Sequence, residues 1–336
     1  MDKKYKMESP DKPDQYLPEL ASLHEISSRL KFRQLKLLIA IEDMGSVHRA
    51  ANLLHMSQPG VSKALKEIEE AIGATLFARS PHGLIATDMG RCAIRHARLM
   101  CASLSHMHDE LGSLARGGGL RLAVGTVAGA LAAVLANALV AFRRAYPAVR
   151  IDLYENTSAN LLEQLQSGAI DMALCRTSVA TQPGSFHFEW LCDELVGVAA
   201  SPAHPLATAE TVTLAQAAEY PWILFPGHMP LRTLLEREAA SQNVTIRGFI
   251  ETSSTFATAL LLNKSHEAIA LFSGETIDFF ERSKTLKRLN LQIQSTAEPY
   301  GIVMRAGFTP APMVHRLCDA IRAAAPQVSD HSRSKL

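Results

Sequence analysis

The chain has 336 residues, 47% of them hydrophobic and 20% charged, with a formal net charge of +1. That length points to two or three globular units with real cores, and the charge balance excludes a disordered polyelectrolyte or a uniformly basic nucleic-acid coat. The five cysteines, Cys92, Cys101, Cys175, Cys192 and Cys318, are odd in number and contain no CxxC pair, which reads as reduced thiols and not as a disulfide or zinc framework. A redox pair of Cys175 and Cys192 is the competing reading; two small buried residues is the plainer one.

Residues 1–28 are polar and carry Pro10, Pro13 and Pro18. They are expected to form a disordered extension, with a short helix possible over 17–26. No apolar run follows Lys3 and Lys4, so neither a signal peptide nor a membrane span is expected. The expected location is the cytoplasm, with no membrane partner. Residues 31–43 read as a helix with Phe32, Leu35, Leu38, Ile39 and Ile41 mostly inward.

Two short helices joined by a tight turn come next. Ser46 is placed as N-cap of the first, which runs to about Leu54, and His55, Met56 and Ser57 form the turn. The second is expected over Gln58–Ile72, with Pro59 in its first turn, where a missing N–H costs nothing. At about 100° per residue, Val61, Ala64, Leu65, Ile68 and Ile72 share one inward arc. Pro59, Ser62, Lys63 and Lys66 fall on another arc, with Gln58 at the helix start. A buried stripe opposite a small, polar, basic face suits reading of a DNA major groove. An ordinary amphipathic helix pair with a solvated face has the same pattern. From Arg29 to Arg98 there are eleven Lys and Arg against six Asp and Glu, so phosphate contact by this segment is expected to be strongly salt-dependent.

A short strand, Leu76-Phe77-Ala78-Arg79, turns at Pro81-His82-Gly83 and returns through Leu84-Ile85-Ala86. The ordered pieces Gly45-Ser46 with Arg49-Ala50-Ala51, Ser57-Gln58-Pro59 with Val61-Ser62, Leu76-Phe77-x-Arg79, and Thr87-Asp88-x-Gly90 resemble the winged helix-turn-helix of LysR-type transcriptional regulators. The resemblance runs without a gap from about Leu30 to Arg98. It implies that Ser46, Arg49, Gln58, Pro59, Ser62, Lys63, Lys66 and Arg79 form the DNA-binding set. Gln58, Ser62 and Lys63 are the candidates for base readout, and Lys66 and Arg79 for phosphate.

Thr87 or Asp88 is expected to cap a long helix reaching about Leu114. Ala93, Ala97, Met100, Leu104, Met107, Leu111 and Leu114 are spaced alternately by four and three residues, a heptad seam that asks for a second helix. The resemblance makes this the dimer contact, so a homodimer or homotetramer on a dyad-symmetric double-stranded operator is expected. RNA polymerase is a further partner it implies. His106, His108 and Asp109 look like a metal cluster but read as solvated helix residues, since i and i+2 diverge on a helix. Gly117-Gly118-Gly119 is the expected hinge.

From Leu120 onward strands and helices alternate, which argues a mostly parallel α/β sheet. The order resembles the effector-binding domain of the same family, which shares the architecture of periplasmic solute-binding proteins. The whole is thus expected to be an α+β multidomain chain. Its parts are a disordered extension (1–28), a winged helix-turn-helix (29–88), a dimerisation helix (89–116), a hinge (117–119), an effector domain (120–324) and a flexible tail (325–336). By resemblance, lobe one is 120–193 plus 297–324, lobe two is 194–296, and a ligand lies between them. Strand ends place Thr126, Thr157, Ser158, Arg176, Arg232, Thr252 and Ser253 as effector-binding candidates. Hydroxyls, backbone N–H groups and arginines suit an organic acid or sugar acid. The runs around Thr157, Pro226 and Thr252 look most like the branch of the family that handles sugars and aromatic acids. Each Ser or Thr is also explained as a plain helix cap.

Two other function classes compete with this reading. An enzyme on the α/β half would need a motif such as GxSxG, a Walker loop or HExxH, and none is present; Gly125 to Gly129 is too short for a phosphate loop. No cofactor or metal is expected. A solute-binding module that never touches DNA is opposed by the N-terminal motifs.

Overall fold

The computed structural model describes residues 20–80, 83–115, 119–181 and 184–325, without the side chains of residues 106, 109, 110, 113 and 114. The chain separates into two compact units that part between Ser103 and Leu104. The first nineteen residues, Gly117 and Gly118 of the expected hinge, and the tail beyond Ala325 lie outside the described residues, as do the side chains of His106, Asp109 and Leu114.

The first unit contains α1 (Leu23–Arg29), α2 (Phe32–Met44), α3 (Val47–Leu53), α4 (Gln58–Ile72), β1 (Phe77–Ser80), β2 (Gly83–Ala86) and the start of α5 (Asp88–Ala115). Within the extension, α1 overlaps the short helix read over 17–26 and reaches further, to Arg29. Ser22 and Glu25 form a reciprocal capping box for α1, and the Ala21 N–H donates to Ile72 O at the end of α4, 3.1 Å away, so local caps suffice to order this short segment. Leu38, Ile41, Ala50, Ala51, Val61, Ile68, Leu76 and Ile94 close one core. Each large aliphatic buried there contributes about 1.5–3 kcal/mol. Ala71 joins the buried face of α4, while Ala64 and Ile72 are only partly covered.

The base of the wing explains its glycines. Gly45 ends α2 with φ +58, and its carbonyl accepts the Leu84 N–H at 3.2 Å. A Cβ on Gly83 (φ +122) would stand 2.5 Å from that carbonyl oxygen, so backbone must meet backbone there. The Thr87 hydroxyl donates to Thr75 O (2.8 Å) and accepts the Gly90 N–H (3.0 Å). A Cβ on Gly90 would overlap Leu76 O. The Thr87-x-x-Gly90 spacing is thereby a packing requirement between α5 and β1.

The second unit holds two five-stranded sheets. The first has β3 (Arg121–Thr126), β4 (Arg150–Glu155), β5 (Met172–Cys175), β6 (Phe186–Cys192) and β12 (Tyr300–Arg305) in the order β4-β3-β5-β12-β6. The second has β7 (Val196–Ala200), β8 (Trp222–Leu224), β9 (Gly248–Glu251), β10 (Ile269–Ser273) and β11 (Lys287–Arg288) in the order β11-β7-β10-β8-β9. Both are mixed, which corrects the expectation of a mostly parallel sheet. β12 runs antiparallel to β5 and β6, and β7 antiparallel to β10 and β11. Each sheet receives a strand across a crossover, so its direction is free of the βαβ constraint.

Around the first sheet lie α6 (Ala128–Ala130), a π turn at Leu131–Leu135, α7 (Ala136–Ala145), α8 (Ser158–Ser167) and α13 (Pro312–Ala324). The run 128–145 is long and apolar enough to cross a membrane by composition, contrary to the expectation that no such stretch exists. Its Ala130, Val134, Ala138 and Phe142 pack into the sheet core, which accounts for the apolar face. The second sheet is covered by α9 (Leu214–Ala217) and α10 (Pro230–Ser241) on one core and α11 (Thr255–Lys264) and α12 (Gly274–Arg282) on another. Cys175, Cys192 and Cys318 are buried free thiols, and burial pushes the Cys175 thiol up to about 12, so it stays protonated and unreactive near neutral pH.

Candidate functional site

The helix-turn-helix presents its polar residues outward. Ser57, assigned above to the turn, is the N-cap of α4, its hydroxyl accepting the Gly60 N–H at 3.2 Å. Ser46 occupies the N-cap position of α3 without a side-chain hydrogen bond, so its hydroxyl does not perform the capping expected of it. Gln58, Pro59, Ser62, Lys63 and Lys66 are all exposed on α4, opposite buried Val61, Leu65 and Ile68. Arg49 on α3 and Arg79 on β1 are exposed as well, and Ser46 is half-buried. Lys66 Nζ is 3.7 Å from Glu70, an exposed pair too weak to withhold the lysine from a phosphate. Sequence reasoning missed Glu69. Its Oε1 accepts the N–H groups of Leu76 (2.7 Å) and Phe77 (3.2 Å), fixing the wing strand to the C-terminal half of α4.

In the second unit a cavity of about 250 Å³ opens between the sheets. Five helical runs begin at its wall, at Ala128, Ser158, Pro230, Thr255 and Gly274. Their N-terminal N–H groups and aligned dipoles favour negative charge there.

The candidates divide. Thr157, Ser158, Arg176 and Ser253 line the cavity. Thr157 caps α8 by accepting the Asn160 N–H at 3.4 Å. Ser158 Oγ accepts the Arg176 N–H at 3.3 Å. Thr126 does not line it: it is fully buried, its hydroxyl turned to Val127 O at 3.0 Å. Thr252 also lies outside the lining, its Oγ1 accepting the Ser254 N–H at 3.2 Å. Arg232 is the main correction. It folds back from the cavity, with Nε on Glu236 (2.6 Å), Nη1 on Phe225 O (3.1 Å) and Glu251 at 3.7 Å. Its position at a helix start is right, but nearby acceptors take the guanidinium.

Arg176 is itself engaged. Buried at the end of β5, it donates from Nε to Glu298 O at 3.0 Å and pairs through Nη2 with the carboxylate of Glu194. Burial pushes the Glu194 carboxyl upward against the opposing pull of Arg176. Glu194 and Glu298 sit on the two chain crossovers between the sheets, so one arginine ties both. His228 and Ser254, which belong to the runs read at the strand ends, also line the cavity, and so do Asn156, Glu194, Ser273 and Thr276, which were missed. Of those four, Asn156 alone had a readable signal, standing immediately before the Thr157 cap.

Comparison with known proteins follows the same division of the chain. Residues 32–91 match the model described as "Bacterial regulatory helix-turn-helix protein, lysR family". Residues 115–326, more than half of the chain, match the "LysR substrate binding domain". The chain belongs to the LysR family. This LysR-type regulator is 27% identical over 300 residues to the HTH-type transcriptional regulator GbpR of Azospirillum brasilense, covering 89% of this chain and 88% of that protein. It is 27% identical over 307 residues to the regulator PcaQ of Agrobacterium fabrum, covering 91% and 98%. Its fold is similar to that of full-length CbnR complexed with target DNA, with TM-score 0.57, 21% identity, and 88% and 100% of the two chains covered. The effector-binding domain of QuiR in complex with shikimate is similar at TM-score 0.53 and 16% identity, over 62% of this chain and 98% of that one. The LysR-type regulator is accordingly a DNA-binding transcriptional regulator with an effector-binding domain.

Proposed function

We propose that this regulator reads a dyad-symmetric operator through Gln58, Ser62 and Lys63, with Ser46, Arg49, Pro59, Lys66 and Arg79 positioning it on the backbone. The observation that carries the reading is the continuous exposed polar face of α4 over residues 58–66, opposite a buried stripe. Bases are read in the major groove by side chains near the start of such a helix. A homodimer or homotetramer is the working form, held along α5. Ala93 and Ala97 of the heptad seam pack within the first unit, but Met100, Leu104, Met107 and Leu111 are exposed, an apolar stripe that a second copy would cover. It acts in the cytoplasm, with RNA polymerase as a partner, and catalyses no reaction.

The effector is an organic acid or sugar acid in the cavity, taken there by Thr157, Ser158, Ser253 and the surrounding helix starts. The branch of the family that handles sugars and aromatic acids is the one this reading favours; the shikimate bound by the QuiR domain is likewise an organic acid. Occupancy shifts the equilibrium between two arrangements of the DNA-reading helices by its differential affinity for them.

Titration of DNA from upstream of the gene against scrambled DNA, at two salt concentrations, tests the DNA reading. Lys63→Ala should weaken the specific complex by about 1–3 kcal/mol, roughly tenfold to a hundredfold, and relax discrimination. Equal binding of both DNAs by the two proteins would sink the base-reading role. Arg232→Ala, by contrast, should move the half-effective concentration of a compound found by screening small acids on the operator complex by no more than about twofold, as expected of a substitution worth about ±0.5 kcal/mol. A tenfold loss would return Arg232 to the site.

A further inference from the structure

The cavity contains an anion of its own. Among its described lining residues Arg176 is the one arginine or lysine, and it is already paired with Glu194. Both partners are nearly inaccessible, with side-chain exposures of 6% for Arg176 and 2% for Glu194. The site around the carboxylate is built to receive it. Gly129 has no side chain where a Cβ would overlap Glu194 Oε1 and stand 3.1 Å from Ser273 Oγ. Ser158 Oγ holds the backbone N–H of Arg176, and Glu298 O holds its Nε. One contact fixes the backbone of Arg176 and the other its guanidinium, each independent of the Glu194 carboxylate.

We propose that Glu194 is a tethered anion filling the arginine subsite of the cleft, so that Arg176 is a positioning residue and the remaining space takes a ligand with one carboxylate and several hydroxyls. This rests on the reading of the cavity as the effector site. The ligand carboxylate goes to the helix starts at Ser158 and Thr255, away from Arg176. The carboxylate of Glu155, which also lines the cavity, accepts hydrogen bonds from ligand hydroxyls. A second ligand carboxylate would meet Glu155 and no available arginine or lysine among those lining residues, so dianions are selected against.

Chemical rescue tests the tethered anion directly. Glu194→Ala in the full-length protein leaves Arg176 buried and unpaired. The thermal midpoint of the second unit should fall by about 10 °C in chloride. Sodium formate at equal ionic strength should restore at least half of that loss in the variant and leave the wild type unchanged. An unchanged midpoint on substitution, or formate acting no better than chloride, would overturn the proposal. Should Glu194→Ala fail to fold in chloride, it must fold in formate. Failure in both, with Glu194→Gln as stable as the wild type, would also overturn it. Rescue reports only on the pair and needs no effector. A wrong assignment of the effector site would instead show as rescue intact with no small acid acting on the operator complex.

Discussion

Glu238→Ala is expected to loosen the second unit about as much as Glu194→Ala does. Glu238 on α10 is buried to 1% exposure. Its Oε1 accepts the Gln294 N–H (3.1 Å) and Gln242 Nε2 (2.8 Å), and its Oε2 accepts the Ser295 N–H (2.7 Å). Those two backbone groups begin the second crossover, whose later residue Glu298 is bound by Arg176 and Ser178. Removing the carboxylate strands two N–H donors and frees the start of that segment. The cost is about 3–5 kcal/mol, or on the order of 10 °C in the midpoint of this unit. Burial alone would raise the Glu238 pKa, but the bonds from Ser295, Gln294 and Gln242 outweigh it and hold the carboxyl below its ordinary value. Its contribution is therefore complete above the unfolded value of about 4.3 and lost as pH falls through the lower folded one. Glu238→Gln should match the wild type more closely at acid pH than at pH 7. A midpoint unmoved by Glu238→Ala at pH 7 would show that the crossover is held elsewhere.

Gly90→Ala should have the largest effect in the first unit. The added Cβ would fall inside Leu76 O and press within 3.3 Å of the Ala86 side chain. Neither backbone can yield without shifting β1 against α5, and β1 also hangs on α4 through Glu69. Overpacking of this sort costs about 3 kcal/mol. Operator affinity should fall at least about tenfold, because the wing that carries Arg79 is displaced. Circular dichroism melts and operator titrations on the same preparation measure both effects. A variant with unchanged melting and unchanged binding would mean that the close approach is relieved at no cost.

The DNA-binding unit was largely legible because its signals are local. Caps, a proline in the first turn and a stripe repeating every three or four residues all lie within one helix length. What escaped was held by side chains reaching across the chain. Glu69 bonds residues seven and eight positions onward, and no periodicity announces that. In the second unit the strand and helix order was readable, but strand direction was not. β12 enters antiparallel after a long excursion through the other sheet, where alternation of elements suggests a parallel neighbour. β6, Phe186-His187-Phe188-Glu189-Trp190-Leu191-Cys192, went unread although it is an edge strand of seven residues. Arg232 shows the remaining limit. Position on a helix was inferable, but the acceptors that turned its head away come from Phe225, Glu236 and Glu251. The importance of Glu194 depends on Arg176, eighteen residues earlier, and on a glycine that had no motif around it.

The place of β12 bears on how the chain is made. It lies between β5 and β6, yet about a hundred residues separate the end of β6 from its start, roughly 5–20 s of ribosomal synthesis. During that interval β6 has no neighbour, and the sheet built from β4, β3 and β5 has an open edge. The second sheet has all its strands in hand before β12 emerges, so it can close first. The DNA-reading unit is available earlier still. A nascent regulator thus acquires the means to hold DNA before it acquires a finished receptor, and its last-made sheet strand is the one that seals the lobe carrying Arg176.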